Sequence, residues 1–321
     1  MAEQVAHYNI LERLGGGALG DVYRARDTKV GRTVALVQPP PHLVSDAPRR
    51  ARFLADARTA ATLNHPNIAA LFDVVEEDGR CYLAYEFAAG PSLREEMAGM
   101  RLGVRRAVQL AAQIADALAE GHSRGIVHGD LRPETVVITP KGSTKILYFG
   151  MVPWTAGGAA RSLVVVSPGT LDIAAAGVAG YLSPEQASGG PIDARSDLFT
   201  LGAMLHEMVT GRQPFAGATA SDTISNVIHA DAPAASRQNP DVPSELDVQL
   251  RRALARDIDT RHQSAALMAA DLRAVVRLLD VRSGDRGPGS LIPLEAEHGH
   301  GLWWAIAAVT VAATVAWWWF G

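Results

Sequence analysis

Residues 14–23 read LGGGALGDVY, in which Gly15, Gly17 and Gly20 fit G-x-G-x-x-G with Val22 two positions further on. Alone such a run says little, because glycine-rich turns are common. Its flanks decide the reading. Residues 8–14 before it and 21–27 after it are short strand-like runs bounded by Gly and Pro. A glycine loop between two strands is not the strand-to-helix turn of a dinucleotide fold; it is a hairpin suited to lie over phosphates. Working outward, residues 33–38, 71–76 and 80–87 read as further strands. Residues 48–63 carry Phe53, Leu54, Ala57, Ala60 and Ala61 at helical spacing. After Pro91 the pattern turns helical, over 107–123, 198–210 and 264–279. Strands first and helices afterwards predict an α+β fold, with a small β-rich lobe joined to a larger α-helical one.

Composition narrows the function. The 321 residues are 48% hydrophobic and 20% charged, which excludes wholesale disorder. A net charge of -4 argues against a bulk electrostatic nucleic-acid binder. Only three lysines are present (Lys29, Lys141, Lys145), so any lysine-dependent chemistry has few candidates. The single cysteine, Cys81, excludes an internal disulfide and argues against a thiolate zinc site. The first ten residues lack the basic and apolar regions of a signal peptide. Residues 281–301 read as a Gly- and Pro-containing linker. Residues 302–320 carry no charge and span roughly 28 Å as a helix, near the thickness of a hydrocarbon core. Trp303 and Trp304 mark one end of this stretch, and Trp317, Trp318 and Trp319 the other, as at a membrane interface. A transmembrane helix is expected there.

Four further blocks follow in order: IVHGDLRPETVVIT at 126–139, KILYFG at 145–150, GYLSPEQ at 180–186 and SDLFTLGAMLHEMVTGRQPF at 196–215. With the glycine loop, this set resembles the eukaryotic-type protein kinase family, especially its bacterial serine/threonine branch. The resemblance implies a protein-kinase-like domain over 8–280, with an N-lobe at 8–88 and a C-lobe at 89–280. It implies nucleotide-binding positions at Gly15, Gly17, Gly20, Val22, Ala35, Glu86, Ala88 and Val137. The hinge would be 86–88 and the bulky gatekeeper Tyr85.

Position by position, the resemblance also marks losses. The strand lysine that holds the α- and β-phosphates is Val37. The helix glutamate that partners it is Asp56, one methylene shorter. The magnesium-binding Asp of D-F-G is Tyr148, and the catalytic-loop Asn is Thr135. Gly129 replaces the Arg of H-R-D, and Arg132 replaces the loop's Lys. Asp130, the proton-acceptor position, is retained. So are the structural positions His128 and Phe149, the pair Glu185 and Arg261, and Asp197. Phosphoryl transfer depends chiefly on positioning and charge neutralisation, and a phenol is a poor magnesium ligand at neutral pH.

The expectation is therefore a pseudokinase, a docking or signalling module with protein partners. ATP would bind weakly, with little to hold Mg2+, and no separate metal site is expected. An active kinase with atypical metal binding stands as the alternative, and a tethered structural partner without any ligand as a third reading. With only Gly321 beyond the tail, the kinase-like domain is expected on the cytoplasmic side of a membrane. Ala308, Ala312 and Ala316 recur every four residues and would let two tails pair as a homodimer, although alanine is abundant throughout the chain. Ser162, Ser167 and Thr170 are hydroxyls open to phosphorylation or merely solvated.

Overall fold

The computed structural model describes residues 4–17, 19–44, 46–98, 100–151 and 177–282. Two units divide at residue 280: Met1–Leu279 and Asp280–Gly321. The tail at 302–320, the linker beyond Arg282 and the hydroxyls Ser162, Ser167 and Thr170 lie outside the described residues. Among the described residues no helix is long and apolar enough to cross a membrane.

The first part of the larger unit is a six-stranded antiparallel sheet in the order β1-β2-β3-β4-β6-β5. Its strands are β1 (Gln4–Val5), β2 (Tyr8–Gly17), β3 (Gly20–Asp27), β4 (Thr33–Gln38), β5 (Leu71–Glu77) and β6 (Arg80–Glu86). β2 runs through its glycines to Gly17, further than its apolar pattern indicates, because Gly15 still faces Val22 and Gly17 faces Gly20 across the hairpin. Gly20 sits at φ 132°, and a Cβ there would fall 2.1 Å from the Gln38 carbonyl oxygen, so only glycine lets β3 lie this close to the end of β4. β6 is buried at five consecutive positions, Cys81 to Tyr85, as a strand covered on both faces requires.

α1 (Ala47–Ala60) crosses one face of the sheet. Asp46 caps it by accepting from the Arg49 amide at 2.8 Å, and Phe53, Ala57 and Ala60 form its buried stripe. The helix ends at Ala60, three residues short of the sequence expectation. There the chain enters the Asn64-His65-Pro66 turn, where the Asn67 amide donates to His65 Nδ1 at 3.1 Å. His65 is thus a turn residue.

The remainder is helical: α2 (Leu93–Glu96), α3 (Val104–Ser123), α4 (Pro184–Ala187), α5 (Ala194–Thr210), α6 (Ala220–His229), α7 (Ser244–Ala253) and α8 (Ala265–Arg282). A two-stranded sheet of β7 (Val136–Ile138) and β8 (Thr144–Ile146) precedes Tyr148. α5 is buried from Ser196 to Val209 and packs against α3 and α7. It is the central post of the core, and Phe199 on it stacks on Phe215 at 5.6 Å. A helix buried all round shows no polar face, so its sequence period alone gave only its last three turns. The expected α+β architecture, a β-rich lobe followed by a helical one, is what the chain adopts.

Candidate functional site

A cavity of about 120 Å³ lies beneath the glycine hairpin. Val22 (β3), Ala35 and Val37 (β4), Tyr85 and Glu86 (β6), Phe87, Ala88, Val137 (β7) and Tyr148 line it, together with Leu14 and Leu147. The sequence-predicted Val22, Ala35, Glu86, Ala88 and Val137 therefore meet around one space. Gly15, Gly17 and Gly20 shape the hairpin above but are not in the wall.

Val37 contributes only apolar surface to this wall. Asp56 is on the facing helix α1 and borders a different cavity, of about 280 Å³, with Arg52, Thr59, His128 and Gly129. Lys145 is not in the wall but is paired with a wall residue: its Nζ lies 2.7 Å from the Glu86 carboxylate and 3.4 Å from the Ile68 carbonyl. This lysine braces the rear of the hinge.

Tyr148 has a left-handed backbone, φ 59°, which is rare for a bulky side chain. Its ring meets Tyr85 edge-on, with centroids 5.7 Å apart and planes at 90°. Burial pushes its phenol up to about 12, and burial also raises Tyr85. Both rings therefore stay neutral at physiological pH. The Tyr85 Oη is buried and has no hydrogen-bond partner.

The catalytic-loop stretch is held by Asp197 at the start of α5. Its carboxylate accepts the His128 amide at 2.8 Å, the Gly129 amide at 2.7 Å and His122 Nε2 at 2.7 Å. Gln186 on α4 donates to the Gly129 carbonyl at 2.7 Å. Gly129 adopts φ 70°, a conformation that costs glycine nothing. His128 accepts the Asp130 amide on Nδ1 at 3.2 Å and so donates from Nε2 to the Leu147 carbonyl at 3.2 Å. Burial lowers its pKa and keeps this tautomer neutral. The ring also packs edge-on to Phe149 at 5.1 Å, which joins the loop to the Tyr148 segment.

Asp130 is nearly buried. Its Oδ1 stands 3.6 Å from Arg132 Nε, and its Oδ2 has no hydrogen-bond partner. Thr135 cannot offer what an Asn would. Its hydroxyl donates to the Arg132 carbonyl at 2.9 Å and accepts the Arg132 amide at 3.1 Å, closing its own turn. The two positions that the resemblance assigns to magnesium thus offer a neutral phenol and a hydroxyl already spent. They do not fit magnesium, which seeks anionic oxygen. Among the described residues no group of three His, Cys, Asp or Glu side chains is placed to hold a metal ion.

Arg261 is fully buried and clamps Glu185 through two bonds of 2.8 and 2.9 Å. It also donates to the carbonyls of Ala255 and Arg256, at 2.7 and 3.1 Å. These contacts, with Ser196, hold the Glu185 carboxyl down at about 2 against the cost of burial. One cluster was missed in the sequence. Arg94 on α2 bonds Glu134 at 2.8 Å, Glu207 at 2.9 Å and the Tyr181 hydroxyl, and Tyr181 in turn donates to Glu207. The Ser92/Glu95 capping box that starts α2 is readable as S-x-x-E and would have located Arg94 on a helix, but not its partners.

The protein kinase domain family matches residues 8–272. The chain is 35% identical over 272 residues to a probable serine/threonine-protein kinase, SCO3848, of Streptomyces coelicolor, covering 83% of this chain and 39% of that one. It is 36% identical to the serine/threonine-protein kinase PknB of Mycolicibacterium smegmatis, covering 83% and 42%. It is 34% identical to the serine/threonine-protein kinase PrkC of Bacillus subtilis, covering 83% and 40%. The chain thus spans about two fifths of the length of these relatives. Among solved structures, the kinase domain of Mycobacterium tuberculosis PknI superposes with a TM-score of 0.65 at 26% identity, covering 85% of this chain and 98% of that one.

Proposed function

The chain belongs to the protein kinase domain family, in its bacterial serine/threonine branch, and from that premise we propose that it is a pseudokinase: a docking and signalling module without efficient phosphotransfer. The observation that carries this reading is Tyr148. A half-buried tyrosine with a neutral phenol, in a left-handed turn, fills the place where the family needs a carboxylate for magnesium. Val37 removes the phosphate-neutralising cation from the same wall, and Lys145 is paired with Glu86. Asp130 alone supplies a proton acceptor, and a base contributes far less to phosphoryl transfer than charge neutralisation does.

The framework that presents a surface to partners is intact. Asp197 holds the loop, Arg261 holds Glu185, and His128 meets Phe149. A chain losing its fold together with its chemistry would not keep a buried ion pair whose disruption costs about 3–5 kcal/mol. Residues 302–320 complete the proposal as a single membrane anchor that holds the kinase-like domain on the cytoplasmic side.

The test is phosphate incorporation from radiolabelled ATP, into the protein itself and into generic substrates, with magnesium or manganese. No incorporation above that of Asp130→Ala is expected. Incorporation that disappears in Asp130→Ala establishes instead an active serine/threonine kinase with atypical metal binding.

A further inference from the structure

We propose that a groove on the helical lobe, between α7 and the segment that follows α6, docks an acidic segment of a protein partner. Carboxylates of that segment meet Arg237 and Arg251, and an apolar side chain between them rests on Leu250 and Leu254. The groove shares no residue with the cavity under the glycine hairpin, so it stands whether or not the chain transfers phosphate.

The sequence of α7 builds one wall. Asp247, Leu250, Arg251 and Leu254 follow at three- and four-residue steps and so share one face of the helix, with Leu254 at its end. Residues 231–237 build the other wall and finish in a single 3-10 turn, Ala235–Arg237. Between them lies a cavity of about 360 Å³, inside the range of about 300–1,000 Å³ that suits a bound guest. Leu250, Leu254 and Ala235 are its buried floor. The loop wall is pinned to the core. His206 Nε2 on α5 lies 3.2 Å from the Pro233 carbonyl, Arg256 donates to the His229 carbonyl at 2.8 Å, and Asn239 donates to the Val209 carbonyl at 2.8 Å. A wall fixed before the partner arrives loses little conformational freedom on docking.

Charge decides the occupant. Arg237 and Arg251 are exposed, and neither guanidinium has a hydrogen bond or ion pair among the described residues. Both acids of the rim are engaged: Asp231 pairs with Arg256 at 3.0 Å, and Asp247 accepts the Ser236 amide at 3.2 Å. Counting Arg256, three guanidiniums stand against two carboxylates, and the charge left to meet a guest is positive. The whole chain carries -4, so this local excess runs against the average. An apolar floor beside two unpaired cations suits a leucine or phenylalanine flanked by Asp or Glu. A nucleic-acid backbone draws on longer rows of free cations and has no use for such a floor.

The experiment selects peptides from a random dodecapeptide display library on the full chain in detergent micelles, then titrates the selected peptides by calorimetry. They are expected to carry Asp or Glu on both sides of an aliphatic or aromatic residue. Arg237→Ala combined with Arg251→Ala should weaken them at least about tenfold, since one hydrogen bond to a charged group is worth about that factor. Arg58→Ala combined with Arg80→Ala removes the same charge from exposed positions on α1 and β6, and should change affinity less than about twofold. On the unaltered protein, raising salt from about 0.05 to about 0.5 M should weaken the peptides roughly tenfold; this measurement decides if the first double variant does not fold. Peptides without acidic residues, equal losses in the two double variants, or affinity indifferent to salt each overturn the inference. So does an empty selection, and loss of crosslinking between copies in the Arg237/Arg251 variant would then assign the groove to a second copy of this chain. Peptide docking together with transfer in the radiolabel assay leaves this inference standing and sinks only the non-catalytic reading.

Discussion

Replacing Tyr148 by Gly and, separately, by Ala isolates the backbone from the ring. Tyr148 is half-buried and packs on the cluster containing Val37, Phe53 and Tyr85, so either truncation loses about 2 kcal/mol of apolar burial. The two variants then differ at φ 59°. A residue with a β-carbon pays about 1–2 kcal/mol in the left-handed region, and glycine does not. Against this, alanine gains about 0.4–1 kcal/mol over glycine from a less flexible unfolded chain. The difference leaves Tyr148→Gly more stable than Tyr148→Ala by roughly 1 kcal/mol, with both below the parent. At an ordinary backbone position the order is the reverse. Urea unfolding of the three proteins, at equal slope, measures it. Tyr148→Ala as stable as Tyr148→Gly, or more so, would refute the argument that this position stores backbone strain.

Arg261→Met should cost about 3–5 kcal/mol in the same assay, because it leaves Glu185 buried without its two guanidinium bonds; a loss below 1 kcal/mol contradicts the clamp. Acid should weaken the parent in two windows. His262 is held neutral, its pKa lowered by burial to about 4, so its share of stability is present above the ordinary histidine value near 6.5 and fades as pH falls towards 4. Glu185, held at about 2, contributes about 3 kcal/mol that is present above its ordinary value of 4.5 and fades as pH falls towards 2. Stability measured from pH 7 to 3 should flatten in the lower window in Arg261→Met and in the upper one in His262→Gln. Finally, deleting residues 302–321 should move the protein from the membrane fraction to the soluble fraction, and Ala312→Ile should weaken crosslinking of two copies without releasing the protein. Full-length protein soluble without detergent refutes the anchor, and unchanged crosslinking refutes the pairing.

Local chemistry made much of this molecule readable. The alternation in Thr33–Gln38, the stripe Phe53, Ala57, Ala60 and the ordered blocks around Asp130, Tyr148, Glu185 and Asp197 each depend on neighbours within a few residues. That is why a β-rich lobe followed by a helical one could be read from the string, while the substituted positions came from the resemblance of the ordered blocks to the kinase family. What could not be read is where polar atoms spend their bonds. Thr135 closes its own turn, Lys145 reaches Glu86 fifty-nine residues away, and Arg94 gathers groups from three distant segments. Such partners are fixed by tertiary packing and leave no period in the sequence. The left-handed backbone of Tyr148 was hidden for a related reason: a tyrosine resists it, and only the surrounding structure imposes it. Helix ends shifted for simpler causes. α3 starts at Val104 because Gly103 precedes it, while Arg105 and Arg106 blur the apolar step there.

The loop carried by Asp197 has a consequence for how the protein opens and closes on long timescales. Its amides at His128 and Gly129 are bonded to a carboxylate that is itself 1% exposed on the central helix. Releasing either proton to solvent requires the loop to part from that buried carboxylate. Backbone deuteration at these two positions should therefore run at the rate of global unfolding, while the glycines of the β2-β3 hairpin exchange through local fraying. A segment that the family resemblance assigns to chemistry is expected, by the clock of isotope exchange, to belong to the slow core.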